Sequence, residues 1–128
     1  MISKFHKYWM PVVVWALIML FVSTMPGEAL EKMDGGSGKV SSYSYIWHFF
    51  EFLVLSFLLF RAISLDNKYG RMKVIALVIA VSFAYSFLTE FMQLYVPGRF
   101  FDYSDIMVNN IGAVAGLAGI KYRISDEV

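Results

Sequence analysis

The chain has 128 residues, of which 59% are hydrophobic and 16% are charged, and its formal net charge is +1. This composition is typical of one small membrane domain, and the near-neutral charge argues against a nucleic-acid partner. The chain contains no cysteine, which excludes disulfides, thiolate metal sites and a cysteine nucleophile.

Four apolar segments are long enough to cross a bilayer, which requires roughly 20 largely apolar residues. The first follows Lys4 and Lys7 like a signal peptide, but its length and the poor cleavage site at Met25-Pro26-Gly27 favour an uncleaved span. We therefore predict an all-α membrane protein with a single domain over residues 1–128. Its four antiparallel transmembrane helices are predicted at about residues 8–25, 46–64, 72–95 and 104–122.

The basic residues predict the orientation, because cytoplasmic loops carry an excess of lysine and arginine. Eight of them flank the termini or the connection between the second and third spans, namely Lys4, Lys7, Arg61, Lys68, Arg71, Lys73, Lys121 and Arg123. Lys32, Lys39 and Arg99 lie in the other two connections. Both termini are therefore predicted to be cytoplasmic, and the segments of about 27–45 and 96–103 to face outward. The Gly/Ser run at residues 35–38 predicts a flexible linker there, with a lid as the alternative.

Three pairs of polar residues lie near the predicted outer ends of the last three spans. Within each pair the residues are three or four apart, so they share one helix face. The pairs are His48 and Glu51, Glu90 and Gln93, and Asp105 and Asn109. Arg99 lies in the short loop Pro97-Gly98-Arg99 above them. Because ionisable side chains inside a span are costly and mark functional sites by default, we predict a polar pocket that opens outward.

The residue types in this pocket suit several kinds of chemistry. An imidazole beside carboxylates suits proton transfer, so His48, Glu90 and Asp105 are the candidate catalytic residues. No cofactor is predicted, but a divalent metal ion at the same three residues stays open as an alternative. The guanidinium of Arg99 suits a phosphate or a carboxylate. An internal salt-bridge network with a purely structural role is the competing interpretation. The candidate substrate-binding residues are Glu51, Gln93, Arg99 and Asn109.

Small residues form a stripe along the fourth span. Gly112 and Gly116 make a GxxxG pattern, which lets a neighbouring helix approach closely. We predict that this stripe packs inside the bundle, with homodimerisation as the alternative. At the end of the first span, Ser23 and Thr24 are predicted to satisfy backbone groups.

The order of these motifs resembles that of the VanZ-like family of small bacterial integral membrane proteins. The resemblance covers roughly residues 46–119 and rests on His48-Phe49, Glu90-Phe91-Met92-Gln93, Pro97-Gly98-Arg99 and Asp105-x-x-x-Asn109-x-x-Gly112-x-x-x-Gly116. Residues 23–26 are also similar to the end of that family's first span. The resemblance implies a location in the bacterial cytoplasmic membrane. It also implies a link to the cell envelope, because the founding member is associated with resistance to the glycopeptide antibiotic teicoplanin.

Two classes of function follow. In the first, the protein binds or shields an envelope lipid or a glycopeptide without chemistry, and contributes to teicoplanin-type resistance. In the second, it is a small membrane enzyme that acts on a lipid-linked envelope substrate by acid/base or metal-assisted chemistry. The sequence has no recognised nucleophile motif or catalytic signature, which favours the first class. The expected partners are membrane lipids and a lipid-linked cell-wall precursor or a glycopeptide.

Overall fold

The molecule is built from helices. The structure is a computed structural model that describes residues 3–29, 40–66 and 68–126, and within these ranges it contains no strand. The long helices are α1 (Lys4–Ser23), α2 (Val40–Ile63), α3 (Arg71–Gln93) and α4 (Tyr103–Asp126), with a 3-10 turn at Ser64–Asp66 after α2. Among the described residues, three segments are long and apolar enough to cross a membrane, namely α1, residues Tyr45–Ile63 of α2, and α3. The prediction of an all-helical membrane protein is therefore confirmed.

Two helices begin earlier than the apolar segments predict. Helix α1 begins at Lys4, where the Ser3 side chain accepts a hydrogen bond from the backbone N–H of His6 at 3.3 Å. Helix α2 begins at Val40, six residues before the predicted span. The reason is that hydropathy reports which residues suit the bilayer, whereas a helix continues into polar sequence wherever its backbone bonds are satisfied. The predicted linker or lid at residues 35–38 lies outside the described residues.

Two side-chain hydroxyl groups cap the C-terminal end of α1. Ser23 Oγ donates to the carbonyl of Leu20 at 2.9 Å, and Thr24 Oγ1 donates to the same carbonyl at 3.0 Å. Carbonyls in the last turn of a helix have no partner within the helix, so these bonds stabilise its end. The prediction that Ser23 and Thr24 satisfy backbone groups is confirmed. The backbone N–H of Thr24 also bonds to Leu20.

Helices α2 and α4 approach each other closely at glycines. A β-carbon at Gly112 would overlap the carbonyl oxygen of Phe49. A β-carbon at Gly116 would lie 2.5 Å from the carbonyl oxygen of Leu53 and would also overlap the Ser56 hydroxyl. Only hydrogen fits in this space, so the two glycines allow the two helix backbones to touch.

Helix α1 lies on the outside of the other helices and is held to them by polar contacts. Trp15 Nε1 donates to the backbone carbonyl of Glu51 at 3.0 Å. The Tyr85 hydroxyl donates to the backbone carbonyl of Ala16. Most of the α1 surface stays exposed, including large apolar side chains such as Phe21. In a membrane these side chains face lipid, which is as apolar as they are.

The chain after α1 is tied to the loop between α3 and α4. The backbone N–H of Gly27 donates to the carbonyl of Pro97 at 3.2 Å. A β-carbon on Gly27 would lie 2.6 Å from the carbonyl oxygen of Gly98. Gly98 has φ = 73°, a left-handed conformation that glycine adopts without steric cost. The close contact with Gly27 thus holds the loop that carries Arg99 against the end of α1.

Candidate functional site

Polar side chains from α2, α3 and α4 are buried together at one end of the bundle. We call this set the polar cluster, and it consists of His48, Glu51, Glu90, Gln93, Asp105 and Asn109. All six residues are buried, and the Glu90 and Asn109 side chains have no exposed surface. A group of this size and depth is unusual, because an unpaired polar group away from water costs free energy.

Histidine 48 lies at the centre of the closest contacts. Its Nε2 atom is 3.7 Å from Asp105 Oδ2, and its Nδ1 atom is 3.6 Å from Glu51 Oε2. One ligand atom each from His48, Glu90 and Asp105 lie within 4.8 Å of one another. The structure therefore brings together the three candidate catalytic residues, which come from three different helices.

The helical repeat explains why these side chains face inward. On α3, Glu90 continues the buried face that includes Val74, Val78 and Ser82, each four residues apart. On α4, Asp105 and Asn109 precede Gly112 on the face that contacts α2. Residues three or four apart lie on the same helix face, so each predicted pair is buried as a unit.

Several buried polar atoms have no hydrogen-bond partner among the residues that the structure describes. They include Oε1 of Glu90, Oδ1 of Asn109, Nδ1 of His48 and Nε2 of Gln93. Buried polar atoms in folded proteins are nearly always paired with protein, water or an ion. The polar cluster is therefore equipped to bind something more than its own side chains.

Arg99 is the guanidinium beside the polar cluster. Burial lowers the pKa of its side chain, while the carboxylates of Glu90, Asp105 and Glu51 act in the opposite direction. The ordinary pKa of arginine is so high that the side chain stays charged. Its Nη1 atom is buried and has no partner in the described part of the chain. A guanidinium with a free nitrogen can take a carboxylate or phosphate oxygen.

Asp102 belongs to the site, although the sequence did not single it out. Its backbone N–H donates to Glu90 Oε2 at 3.4 Å, and its carboxylate accepts from the Ser104 N–H at 2.8 Å. The Tyr45 hydroxyl also donates to this carboxylate at 3.4 Å. An aspartate just before a helix is a common N-cap, so the position of Asp102 before α4 could have identified it from the sequence.

Hydroxyl residues on α3 extend the polar cluster into the bundle. Asn109 Nδ2 donates to Ser86 Oγ at 2.8 Å, which joins α4 to α3. Ser82 and Thr89 are also buried on α3. Their spacing from Ser86, at four and three residues, places them on the Glu90 face. This spacing was the overlooked signal in the sequence.

A groove of about 670 Å³ lies at the other end of the bundle. Its lining includes Phe57, Arg61, Gly116 and Gly119, and Tyr8 of α1. No member of the polar cluster is among the described residues that line it. Beside the polar cluster, Arg99 and Asp102 are partly exposed.

Comparison with known proteins identifies a family for this chain. The VanZ/LLP1 family model matches residues 8–124, which is nearly the whole chain. No curated protein and no solved structure matches the chain significantly. The match overlaps each of the four long helices that the structure describes and includes every residue of the polar cluster. The chain therefore belongs to the VanZ/LLP1 family and is a VanZ-like membrane protein.

Proposed function

We propose that the chain crosses the bacterial cytoplasmic membrane four times, with both termini in the cytoplasm and the polar cluster near the outer face. The distribution of lysine and arginine supports this orientation. Helix α4 has 24 residues, a length of about 36 Å at the helical rise, which is enough to span a bilayer. Its packing against α2 at Gly112 and Gly116 favours a position inside the bundle.

Single cysteines test this orientation directly, because the chain has none of its own. Phe100 is 82% exposed in the loop between α3 and α4, and Tyr69 is 44% exposed before α3. In intact cells, a membrane-impermeant maleimide is expected to label Phe100→Cys but not Tyr69→Cys. Tyr69→Cys should react once the membrane is permeabilised. The reverse pattern would invert the proposed orientation.

The polar cluster is proposed to bind the polar part of an envelope lipid or a glycopeptide at the outer membrane face. The observation that carries this proposal is the burial of six polar side chains from three helices at one end of the bundle. Nη1 of Arg99, which has no partner among the described residues, supports it, because phosphates and carboxylates are the charged groups of such ligands. In this way the protein would contribute to teicoplanin-type resistance.

An enzymatic function is the second candidate. His48 lies 3.6 Å from one carboxylate oxygen and 3.7 Å from another, which is close to hydrogen-bonding distance. A histidine placed between two acids can take a proton from one side and deliver it on the other. Its substrate would be a lipid-linked envelope molecule that reaches the polar cluster from outside.

Antibiotic susceptibility tests the binding function. A Gram-positive host that expresses the wild-type chain is expected to resist teicoplanin but not vancomycin, relative to the empty vector. Glu90→Gln and Asp105→Asn keep the side-chain size but remove a charge from the polar cluster. At matched membrane levels, both variants are expected to return to the susceptibility of the empty vector.

Glu28→Gln provides the matched control, because Glu28 is an exposed acid outside the polar cluster. It is expected to protect as well as the wild type. Protection that survives in the Glu90 and Asp105 variants would make those acids structural. A wild-type chain without any protection would show that teicoplanin handling is not its function.

A further inference from the structure

We propose that His48, Glu90 and Asp105 bind one divalent transition-metal ion, of which Zn²⁺ and Mn²⁺ are the best fits. The sequence left such a site open as an alternative, and the structure supplies the geometry for it. This inference goes beyond the binding function proposed above, and it stands or falls independently of any lipid or glycopeptide.

The three side chains already surround one point. Their ligand atoms lie within 4.8 Å of one another, and His48 Nε2 is 3.7 Å from Asp105 Oδ2. Around a tetrahedral zinc ion, ligand atoms at about 2.0–2.1 Å from the metal are about 3.4 Å apart. Small side-chain movements would therefore bring all three groups to binding distance without a change of backbone.

The environment of His48 is that of a metal ligand. One ring nitrogen, Nε2, faces Asp105, and the other, Nδ1, faces Glu51 Oε2. Metal-binding histidines almost always direct the second nitrogen at a carboxylate or a carbonyl, which fixes the tautomer and the ring orientation. Glu51 occupies the position of that outer carboxylate.

Glu90 is similarly oriented, with one oxygen left over. Its Oε2 atom accepts from the backbone N–H of Asp102, while its Oε1 atom has no partner among the described residues. The Glu90 side chain has no exposed surface, so water at the protein surface cannot satisfy this oxygen. Nearby, Asn109 donates to Ser86 and leaves its own Oδ1 atom unpaired within the described structure. Buried acceptors without a partner are groups that a bound cation or its water ligands can satisfy.

The charge balance also favours a cation. Four carboxyl groups, those of Glu51, Glu90, Asp102 and Asp105, stand against the single guanidinium of Arg99 in the described site. Four negative charges and one positive charge leave an excess of three when all are ionised. Three of these four carboxylates are buried. Buried like charges repel one another, and a bound dication removes most of that repulsion.

The ligand types select the kind of metal. Imidazole suits zinc, copper, iron and nickel, whereas Mg²⁺ and Ca²⁺ prefer oxygen ligands alone. One imidazole with two carboxylates is a mixed set that fits Zn²⁺, and also Mn²⁺, which accepts carboxylates readily. Three protein ligands leave a position open for water or a ligand, as in catalytic zinc sites.

Metal analysis of the purified full chain tests the proposal. The protein is purified in detergent with an affinity tag that contains no histidine, stripped with EDTA and titrated with ZnSO₄ or, separately, with MnCl₂. We expect one zinc per chain by mass spectrometry and a zinc-dependent rise in the melting temperature. Glu90→Gln and Asp105→Asn are each expected to weaken zinc binding more than about 100-fold, since losing a direct ligand exceeds the usual 10–100-fold cost of losing an outer partner.

Two further variants sharpen the result. Glu51→Gln is expected to weaken zinc binding by about 10–100-fold, as an outer partner does. His6→Gln is the matched control, because His6 is an exposed histidine at the opposite end of α1 from the polar cluster. It should bind zinc like the wild type. Equal loss in the His6 variant would reveal surface binding and would overturn the proposal.

The melting temperature of the metal-free protein distinguishes a metal site from an ion-pair network with a purely structural role. Without zinc, Glu90→Gln is expected to melt at the wild-type temperature or above it, because the substitution relieves repulsion between buried acids. A wild-type chain that binds no zinc or manganese would overturn the proposal. If the variants do not fold, X-ray absorption of the zinc-loaded wild type decides. The absence of an imidazole nitrogen at about 2.0–2.1 Å from the zinc ion would then contradict the assignment.

Discussion

Replacing Gly112 with alanine is expected to lower the free energy of unfolding by about 1–3 kcal/mol, although alanine is the better helix former. The added β-carbon would overlap the backbone carbonyl oxygen of Phe49 on α2. A backbone atom cannot rotate out of the way like a side chain, so the two helices must separate. Tight packing is the main attraction between helices in lipid, and separation weakens it along the whole α2–α4 contact.

Gly119 on the same helix is the matched control. A β-carbon there would meet no described atom within 4 Å, so Gly119→Ala should stabilise the protein by about 1 kcal/mol through helix propensity alone. Unfolding by SDS in mixed micelles, followed by the fluorescence of the three tryptophans, compares the two variants. Effects of the same sign would contradict the close approach of α2 and α4 at Gly112.

Replacing Arg99 with glutamine is expected to lower the free energy of unfolding, measured in EDTA, by about 1–3 kcal/mol. This is less than the roughly 3–5 kcal/mol typical of breaking a fully buried ion pair, because the guanidinium is only half-buried. The substitution leaves the acids of the polar cluster without their nearby cation. Adding Glu90→Gln to this variant is expected to recover part of the loss, since it removes one of the charges that Arg99 compensates.

A double-mutant cycle measures this coupling in the same unfolding assay. Arg61→Gln serves as the control at the other end of the bundle, where Arg61 lies over the rings of Tyr8 and Phe57. That variant should lose about 0.5–1 kcal/mol of cation–π stabilisation and show no coupling with Glu90→Gln. Additive effects of Arg99 and Glu90 would mean that the arginine does not compensate the acid.

The sequence predicted the all-helical fold and the shared helix face of each polar pair. Apolar length identifies a segment that suits the bilayer, and a spacing of three or four identifies one helix face. His48, Glu90 and Asp105 could therefore be assigned to one end of the molecule. The start of α2 at Val40 could not be predicted, because the residues just before the apolar span are largely polar and hydropathy does not indicate whether polar residues are helical.

The composition of the site was predicted less completely. Asp102 was overlooked because it lies in a loop, where an acid is ordinarily solvated. Ser82 and Ser86 were overlooked because a single serine in a helix can bond to its own backbone, so that only the spacing of several hydroxyl residues indicates a buried face. Spacing gives the face of one helix but not its neighbour, so the bond between Asn109 and Ser86 required the structure.

The attachment of α1 has a consequence for how the sequence of this protein can vary. Two hydrogen bonds that tie α1 and the residues just after it to the rest of the chain use backbone groups of this segment. They are the carbonyl of Ala16 and the N–H of Gly27. A backbone carbonyl is present whatever residue carries it, and lipid accepts any apolar side chain of similar size. Most of α1 is therefore free to drift in sequence while it keeps its length and apolar character.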